Sequence, residues 1–249
     1  MKRILLTVSY DGTNYCGWQI QPNGITIEEE LNRALFLLLG EEIKVIGASR
    51  TDSGVHAMGN RAVFDTSTRI PAEKISFALN QYLPDDIVIQ KSIQVPDDFH
   101  PRHQNTRKHY RYQIWNSTFP DPIQRHYAYF FHRSLDIEKM REAAGYFIGE
   151  HDFKSFCSIH AQVKTTVRTI YRLDVTKQGS MILVDIEGNG FLYNMVRIIT
   201  GTLIDVGVLR YPPEHIREIL EAADRQKAGP CAPPQGLCLR SIEFPDVFA

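Results

Sequence analysis

A polar segment between two apolar stretches holds the residues best suited to chemistry. Residues 50–57 read R-T-D-S-G-V-H-A, so that Arg50 and Asp52 are separated by one residue. A guanidinium beside a carboxylate lowers the pKa of that carboxylate. An Asp52 that is ionised at neutral pH suits a nucleophile or a base rather than a general acid. The alternative is a turn without chemistry, because Asp-Ser-Gly is also a common turn sequence.

A second segment, residues 107–112, alternates basic and aromatic side chains. Successive side chains of a strand point to opposite faces, which puts Lys108, Tyr110 and Tyr112 on the same face. An aromatic platform beside a cation is typical of sites that hold unpaired nucleic-acid bases. The alternative is a half-buried strand whose tyrosines pack into the core.

A third segment, residues 191–197, is mostly apolar and ends in Arg197. If this face is buried, Arg197 needs an acidic partner, since an unpaired buried charge is very costly. Asp52 is a candidate for that partner. The spacing equally favours an exposed stripe that Arg197 shares with Asn194, three residues earlier.

The spacing argues against several other kinds of site. His100, His103 and His109 have no H-E-x-x-H pattern, and the four cysteines have no C-x-x-C pattern. Residues 10–19 are punctuated by glycine but do not match the G-x-G-x-x-G loop of dinucleotide sites. A G-x-S-x-G nucleophile elbow is also absent from the sequence. We therefore expect no metal and no cofactor.

Charge placement is more informative than net charge in this chain. The 28 basic and 29 acidic side chains give a net charge of −1. Residues 102–112 and 153–173 each contain four Lys or Arg and no acid. Each run on its own is compatible with an ordinary solvated surface. Two such runs in a neutral chain make a local site for a polyanion plausible.

Composition restricts the class of protein. The 249 residues are 43% hydrophobic and 23% charged, which is ordinary for globular proteins and excludes general disorder. No apolar run approaches the roughly 18 residues of a membrane span. The first residues lack the apolar stretch of a secretory signal. We expect a cytoplasmic protein with reduced cysteines and no membrane association.

The two halves of the chain predict the same order of elements. Thr26 and Glu29 have the spacing of a capping box, which begins a helix, and Gly40 ends that helix. In the first half we predict strands at 3–9, 43–48, 60–65 and 86–93, and helices at 26–40 and 71–82. In the second half we predict strands at 108–115, 169–175, 181–186 and 237–244, and helices at 135–148, 191–206 and 213–223. Residues 96–106 are the predicted linker.

This order predicts an α+β fold. Each half is β-α-β-β-α-β, which is the ferredoxin-like arrangement, with one additional helix in the second half. The predicted halves are residues 1–100, which carry the Asp52 loop, and residues 107–249. We expect their antiparallel sheets to be joined around a central cleft.

The octamer at 50–57 closely resembles the R-T-D-x-G-V-H-A signature of the tRNA pseudouridine synthase A family. Other segments are similar to that family's remaining motifs and occur in the same order: 10–13, 17–22, 107–112, 152–153, 155–157, 168–170 and 190–197. The resemblance covers nearly the whole chain and is weakest at residues 159–166.

The resemblance implies an isomerase that converts uridine to pseudouridine at positions 38, 39 and 40 of the tRNA anticodon arm. It implies a homodimer without cofactor or metal. It also assigns residue roles: catalysis to Asp52, base stacking to Tyr110, pairing with the aspartate to Arg197, pocket lining to Leu237, and holding the place of the flipped nucleotide to Arg50.

Two other classes of function remain open at this point. One is an RNA-binding module without catalysis, although such a module has no need for the carboxylate loop. The other is a hydrolase acting on a nucleoside glycosidic bond, which would usually need a second carboxylate or a metal.

Overall fold

The structure is a computed structural model that describes residues 1–158 and 163–247. Part of the segment that matches the family least, 159–162, therefore lies outside the described residues. The chain forms two compact units, and the predicted α+β class with two halves is confirmed. The first unit contains Met1–Asn105 and the chain from Leu239 onward, and the second contains Thr106–Cys238. We predicted that the second half would include the C-terminal strand, but most of that strand clusters with the first unit.

The first unit is built on an antiparallel sheet with the strand order β4-β1-β3. The short strand β2 pairs with β3 on the edge that faces away from β1. This unit contains β1 (Lys2–Tyr10), α1 (Ile27–Leu39), β2 (Ile46–Gly47), β3 (His56–Thr66), α2 (Ile75–Leu79) and β4 (Ile87–Val95). The predicted β-α-β-β-α-β order is therefore present, and the strands are arranged as in a ferredoxin-like sheet.

Helix α1 begins and ends at the residues that the sequence indicates. The Thr26 side chain accepts a hydrogen bond from the backbone amide of Glu29, which satisfies an N-terminal donor. Gly40 follows the helix with φ of 68°, a left-handed conformation that glycine adopts without steric cost. The helix buries Ile27, Leu31, Ala34 and Leu35.

The second predicted helix of this unit is shorter than expected, because its ends bond to a neighbouring strand. A 3₁₀ turn at Ala72–Lys74 precedes the five-residue α2. The side chain of Asn80 then donates to the carbonyl oxygen of Ile89 and accepts from its amide. These bonds to β4 satisfy the Asn80 side chain at the end of the helix. Local periodicity does not report such long-range bonds.

The second unit contains a sheet with the order β5-β9-β8-β7, and β6 runs parallel to β5. The main strands are antiparallel. Its elements are β5 (Arg107–Asn116), β6 (Tyr129–Phe131), α3 (Ile137–Gly145), β7 (Gly149–Asp152), β8 (Val167–Gln178), β9 (Met181–Gly188), α4 (Met195–Gly207) and α5 (His215–Ala222). A last strand, β10 (Leu237–Glu243), begins in this unit. We did not predict β6 and β7, whose three and four residues are too short to show a period.

Helix α4 is the central helix of the second unit. Twelve of its 13 residues are buried, and Arg197 is the exception. A helix that is apolar on all sides must be enclosed by other elements, which explains why α3 and β5 both pack against it. The helix begins at Met195 rather than at the predicted residue 191, because Asn194 has φ of 62°. Residues 191–194 therefore form a turn instead of a first helical turn.

None of the helices in the described part of the chain is long and apolar enough to cross a bilayer.

Candidate active site

The segment that carries Asp52 connects β2 to β3 and is held on both sides of the aspartate. The carbonyl oxygen of Thr51 accepts from the backbone amide of Trp18 at 3.0 Å. The hydroxyl groups of Thr51 and Tyr10 are hydrogen-bonded at 2.8 Å. Because Thr51 is buried, both bonds are shielded from water, and the backbone next to Asp52 has one defined position.

The Asp-Ser-Gly sequence forms the turn that its composition indicates. The Asp52 carbonyl accepts from the amide of Val55 at 3.1 Å, and Gly54 has φ of 75°. The carbonyl oxygen of Tyr15 accepts from the Gly54 amide at 3.3 Å and from the Ser53 hydroxyl at 3.2 Å. The turn and the chemical interpretation are therefore compatible, since the turn leaves the Asp52 side chain half-buried rather than fully enclosed.

Residues 10–19 support the Asp52 loop. A Cβ atom on Gly17 would lie 2.6 Å from the carbonyl oxygen of Thr51, and one on Gly12 would overlap the Val55 carbonyl. The amide of Gly12 donates to Nδ1 of the buried His56 at 3.0 Å. The sequence analysis placed these glycines in segments that resemble the family's N-terminal motifs, but it assigned them no role in supporting the Asp52 loop.

Tyr15 and Asp86 are two further site residues that the sequence analysis missed. The Tyr15 hydroxyl donates to a carboxylate oxygen of Asp86 at 2.5 Å. Burial, together with this hydrogen bond and the charge of Asp86, raises the pKa of Tyr15. The backbone of Tyr15 holds the Asp52 turn while its side chain is anchored next to β4, so the residue connects the turn to the sheet.

Arg50 lies on the surface of the Asp52 loop. Its side chain is exposed, whereas the Asp52 side chain is half-buried. The neighbouring Thr51 is buried. The two charged residues therefore share a loop and differ in their exposure to solvent.

In the second unit, β5 has the alternation predicted for residues 107–112. Tyr110 and Tyr112 are buried, and Lys108 is half-buried. The hydroxyl of Tyr112 donates to the carbonyl oxygen of Pro233 at 2.7 Å, which is a core role. Tyr110 is 6% exposed, and its ring meets that of Phe191 edge to face at a centroid distance of 5.2 Å.

Arg197 is oriented by two neutral acceptors. Its Nε donates to the carbonyl oxygen of Ala232 at 2.7 Å, and its Nη1 donates to the side-chain oxygen of Asn194 at 2.8 Å. Arg197 and Asn194 are therefore in contact, but both are half-buried and Asn194 precedes the helix, so they do not form an exposed helical stripe. These bonds limit the rotation of the guanidinium.

Leu237 lies close in sequence to the group that holds Arg197. It is 6% exposed and directly follows Gly236, where a Cβ atom would collide with the ring of Tyr112. Residues 232–237 thus contact both the Tyr112 side chain and the Arg197 side chain. Leu237 is therefore connected through a short segment of chain to the backbone acceptor of Arg197.

Among residues 1–158 and 163–247, no group of three or more His, Cys, Asp or Glu side chains is arranged as a metal site.

Comparison with known proteins gives consistent results over almost the whole chain. The family model described as tRNA pseudouridine synthase matches residues 6–104 and 143–245. The tRNA pseudouridine synthase A of Thermoanaerobacter sp. (strain X514) is 48% identical over 244 residues, covering 98% of this chain and 100% of the relative. The tRNA pseudouridine synthase A of Ruminiclostridium cellulolyticum is 50% identical over 245 residues, with the same coverage of both chains.

The tRNA pseudouridine synthase A 2 of Clostridium perfringens is 47% identical over 244 residues, again with 98% of this chain and all of the relative covered. Because these matches cover 98% of this chain, they extend over both structural units. The chain belongs to the tRNA pseudouridine synthase A family and is an isomerase.

Proposed function

We propose that this enzyme isomerises uridines at positions 38, 39 and 40 in the anticodon arm of tRNA, with Asp52 as the catalytic group. The observation that carries the proposal is the position of Asp52. Its carboxylate is half-buried on a turn whose backbone is bonded to Trp18 and Tyr15. A rigid turn of this kind holds a reacting group at a constant place, which lowers the entropic part of the barrier.

The reaction needs one ionised carboxylate and no external group. The bond between N1 and C1′ of uridine breaks, the base turns, and C5 forms the new bond to C1′. The proton on C5 is then lost, and N1 becomes protonated. Asp52 serves either as a covalent nucleophile or as a base at the sugar, and both roles require its ionised form.

The target nucleotide must leave its stem before it can react. Flipping a base out of a duplex costs a few kcal/mol. Stacking on an aromatic ring recovers about 1–3 kcal/mol per base, and we assign that role to Tyr110. Because Tyr110 is 6% exposed and in contact with Phe191, a base stacks on it fully only after a neighbouring side chain has moved.

The remaining assignments concern substrate binding. Arg197, oriented by Ala232 and Asn194, would supply positive charge to Asp52 or to the nucleotide. The buried Leu237 would line the pocket for the base. Arg50, exposed beside the catalytic turn, would occupy the place that the flipped nucleotide leaves.

The decisive experiment compares wild-type enzyme with Asp52→Asn in a position-resolved pseudouridine map of tRNA. We expect pseudouridine at positions 38 to 40 with the wild type and none with the variant, while tRNA binding is retained. Asp85→Asn is a suitable control, since Asp85 is an exposed carboxylate of the same unit. Substantial product from Asp52→Asn at high enzyme concentration would contradict the catalytic assignment, and release of free uracil would indicate hydrolysis.

The proposal also includes a homodimer that acts in the cytoplasm, where tRNA is modified. Sedimentation velocity over a range of protein concentrations tests the assembly. A species with the mass of two 28.5 kDa chains is expected, and a monomer at all concentrations would contradict this part of the proposal.

A further inference from the structure

We propose that Arg102, which lies near Arg50, binds one backbone phosphate of the RNA beside the Asp52 turn. The inference rests on the proposed function, because it takes RNA as the ligand. Arg102 belongs to the acid-free run 102–112, but none of the roles above uses it. Both arginines lie in the first unit.

The position of Arg102 is set by a single backbone acceptor. Its Nε donates to the carbonyl oxygen of Gly47 at 2.7 Å. Gly47 is the last residue of β2 and stands three positions before Arg50. Within the described part of the chain, this is the one hydrogen bond of the Arg102 side chain. The outer N–H groups of the guanidinium are therefore available to a ligand.

Arg102 is bonded to a residue three positions before Arg50, so the two arginines lie in the same region of the first unit. Burial and then the charge of Arg50 lower the pKa of Arg102, while the charge of Glu28 acts in the opposite direction. Glu28 accepts a hydrogen bond from the amide of Ile20 at 3.1 Å. Within the described residues, neither arginine has an acidic partner within ion-pair distance. Two like charges held near each other repel, and a bound anion removes that repulsion.

The backbone around Arg102 is ordered by a local turn. The amide of His103 donates to the carbonyl oxygen of His100 at 3.0 Å, and the two imidazole rings stack at 3.9 Å. The amide of Arg102 donates to Nδ1 of His100 at 3.3 Å. Burial and the charges of His103, Arg102 and Arg3 lower the pKa of His100. The charges around His100 are thus positive. The hydrogen-bonded turn fixes the backbone that carries Arg102.

A phosphate diester matches this arrangement better than an isolated carboxylate. Arginine has a planar fork of donors that suits phosphate oxygens. A phosphate held beside the catalytic turn would keep the RNA backbone in register while the target nucleotide is flipped. Contacts of this kind contribute to affinity through the release of counterions from the RNA.

The test measures tRNA affinity as a function of salt, between about 50 and 200 mM. For Arg102→Gln we expect weaker binding, and we expect the slope of log affinity against log salt to fall by about 0.7 to 0.9, as for one lost phosphate contact. Arg102→Lys keeps the charge and should keep most of the slope. Arg33→Gln is the control, because Arg33 is an exposed arginine of the same unit that is already paired with Glu30, and it should bind as the wild type does.

An unchanged slope in a folded Arg102→Gln variant would overturn the proposal. Equal loss of slope in Arg102→Lys would also overturn it, because it would show that Arg102 only supports Gly47. If Arg102→Gln does not fold, Arg102→Met tests the same contact, and a wild-type slope in that variant would contradict it. Pseudouridine formation by the wild type is measured separately, so failure of the proposed reaction is distinguishable from failure of this site.

Discussion

The carbonyl oxygen of Thr51 lies 2.6 Å from the point that a Cβ atom on Gly17 would occupy. The turn that carries Asp52 and the N-terminal segment therefore meet backbone to backbone. The contact includes the hydrogen bond from the Trp18 amide to Thr51, which requires this close approach. Any side chain at position 17 would push the residue next to Asp52 away from its support.

Gly17→Ala should reduce both stability and turnover. Gly17 has φ of 89°, which costs other residues about 1–3 kcal/mol, and the methyl group would collide with Thr51. We expect a lower melting temperature and at least a tenfold slower formation of pseudouridine, on the order of 1.4 kcal/mol in the barrier. Gly145→Ala is the control, because no atom lies within 4 Å of its added Cβ. Equal behaviour of the two variants would show that the contact is unimportant.

Two substitutions of Tyr110 distinguish the contribution of its aromatic ring from that of its hydroxyl group. Tyr110→Phe keeps the aromatic face, so stacking should persist and only a role of the hydroxyl would be lost. Tyr110→Ala should weaken transition-state binding by about 1–3 kcal/mol, measured as kcat/KM with tRNA. Because the side chain is buried, thermal unfolding of each variant must accompany the kinetics. Wild-type rates in Tyr110→Ala would refute the stacking role.

The hydrogen bond between Tyr15 and Asp86 should stabilise the catalytic turn. Tyr15→Phe removes the donor and leaves a partly buried carboxylate without this partner, which costs about 1.5–3 kcal/mol for a bond to a charged group. We expect a lower free energy of unfolding in urea and slower turnover. Asp86→Asn retains an acceptor and should have a smaller effect. A double-mutant cycle gives the coupling energy, and a value near zero would contradict the connection between turn and sheet.

The lowered pKa of Asp185 predicts that the folded protein loses stability in acid. Burial raises its pKa, but hydrogen bonds from His109 and Arg111 at 2.7 and 2.9 Å outweigh burial, and the pKa falls to about 2. Because the folded pKa lies below the unfolded one, the contribution is complete above pH of about 4 and is lost as the pH falls toward 2. It amounts to about 2 kcal/mol. Denaturant unfolding between these pH values should show a smaller acid dependence for Asp185→Asn, and an identical dependence would contradict the assignment.

Local patterns in the sequence determined much of this protein. Thr26, Glu29 and Gly40 mark the ends of α1 because capping depends on residues a few positions apart. The alternation of Tyr110 and Tyr112 follows from the two-residue period of a strand. The signature around Asp52 identified the family, since its residue types and order are specific.

Other features depended on contacts between distant parts of the chain, so only the tertiary structure decided them. Tyr15 and Asp86 are 71 residues apart, and Asn80 ends α2 through its bonds to β4. Arg102 is placed by the carbonyl of Gly47, 55 residues earlier. A local pattern specifies the conformation of a segment, whereas the partner of a side chain depends on which segments fold against each other. The contacts that support the Asp52 turn could therefore be recognised only in the folded chain.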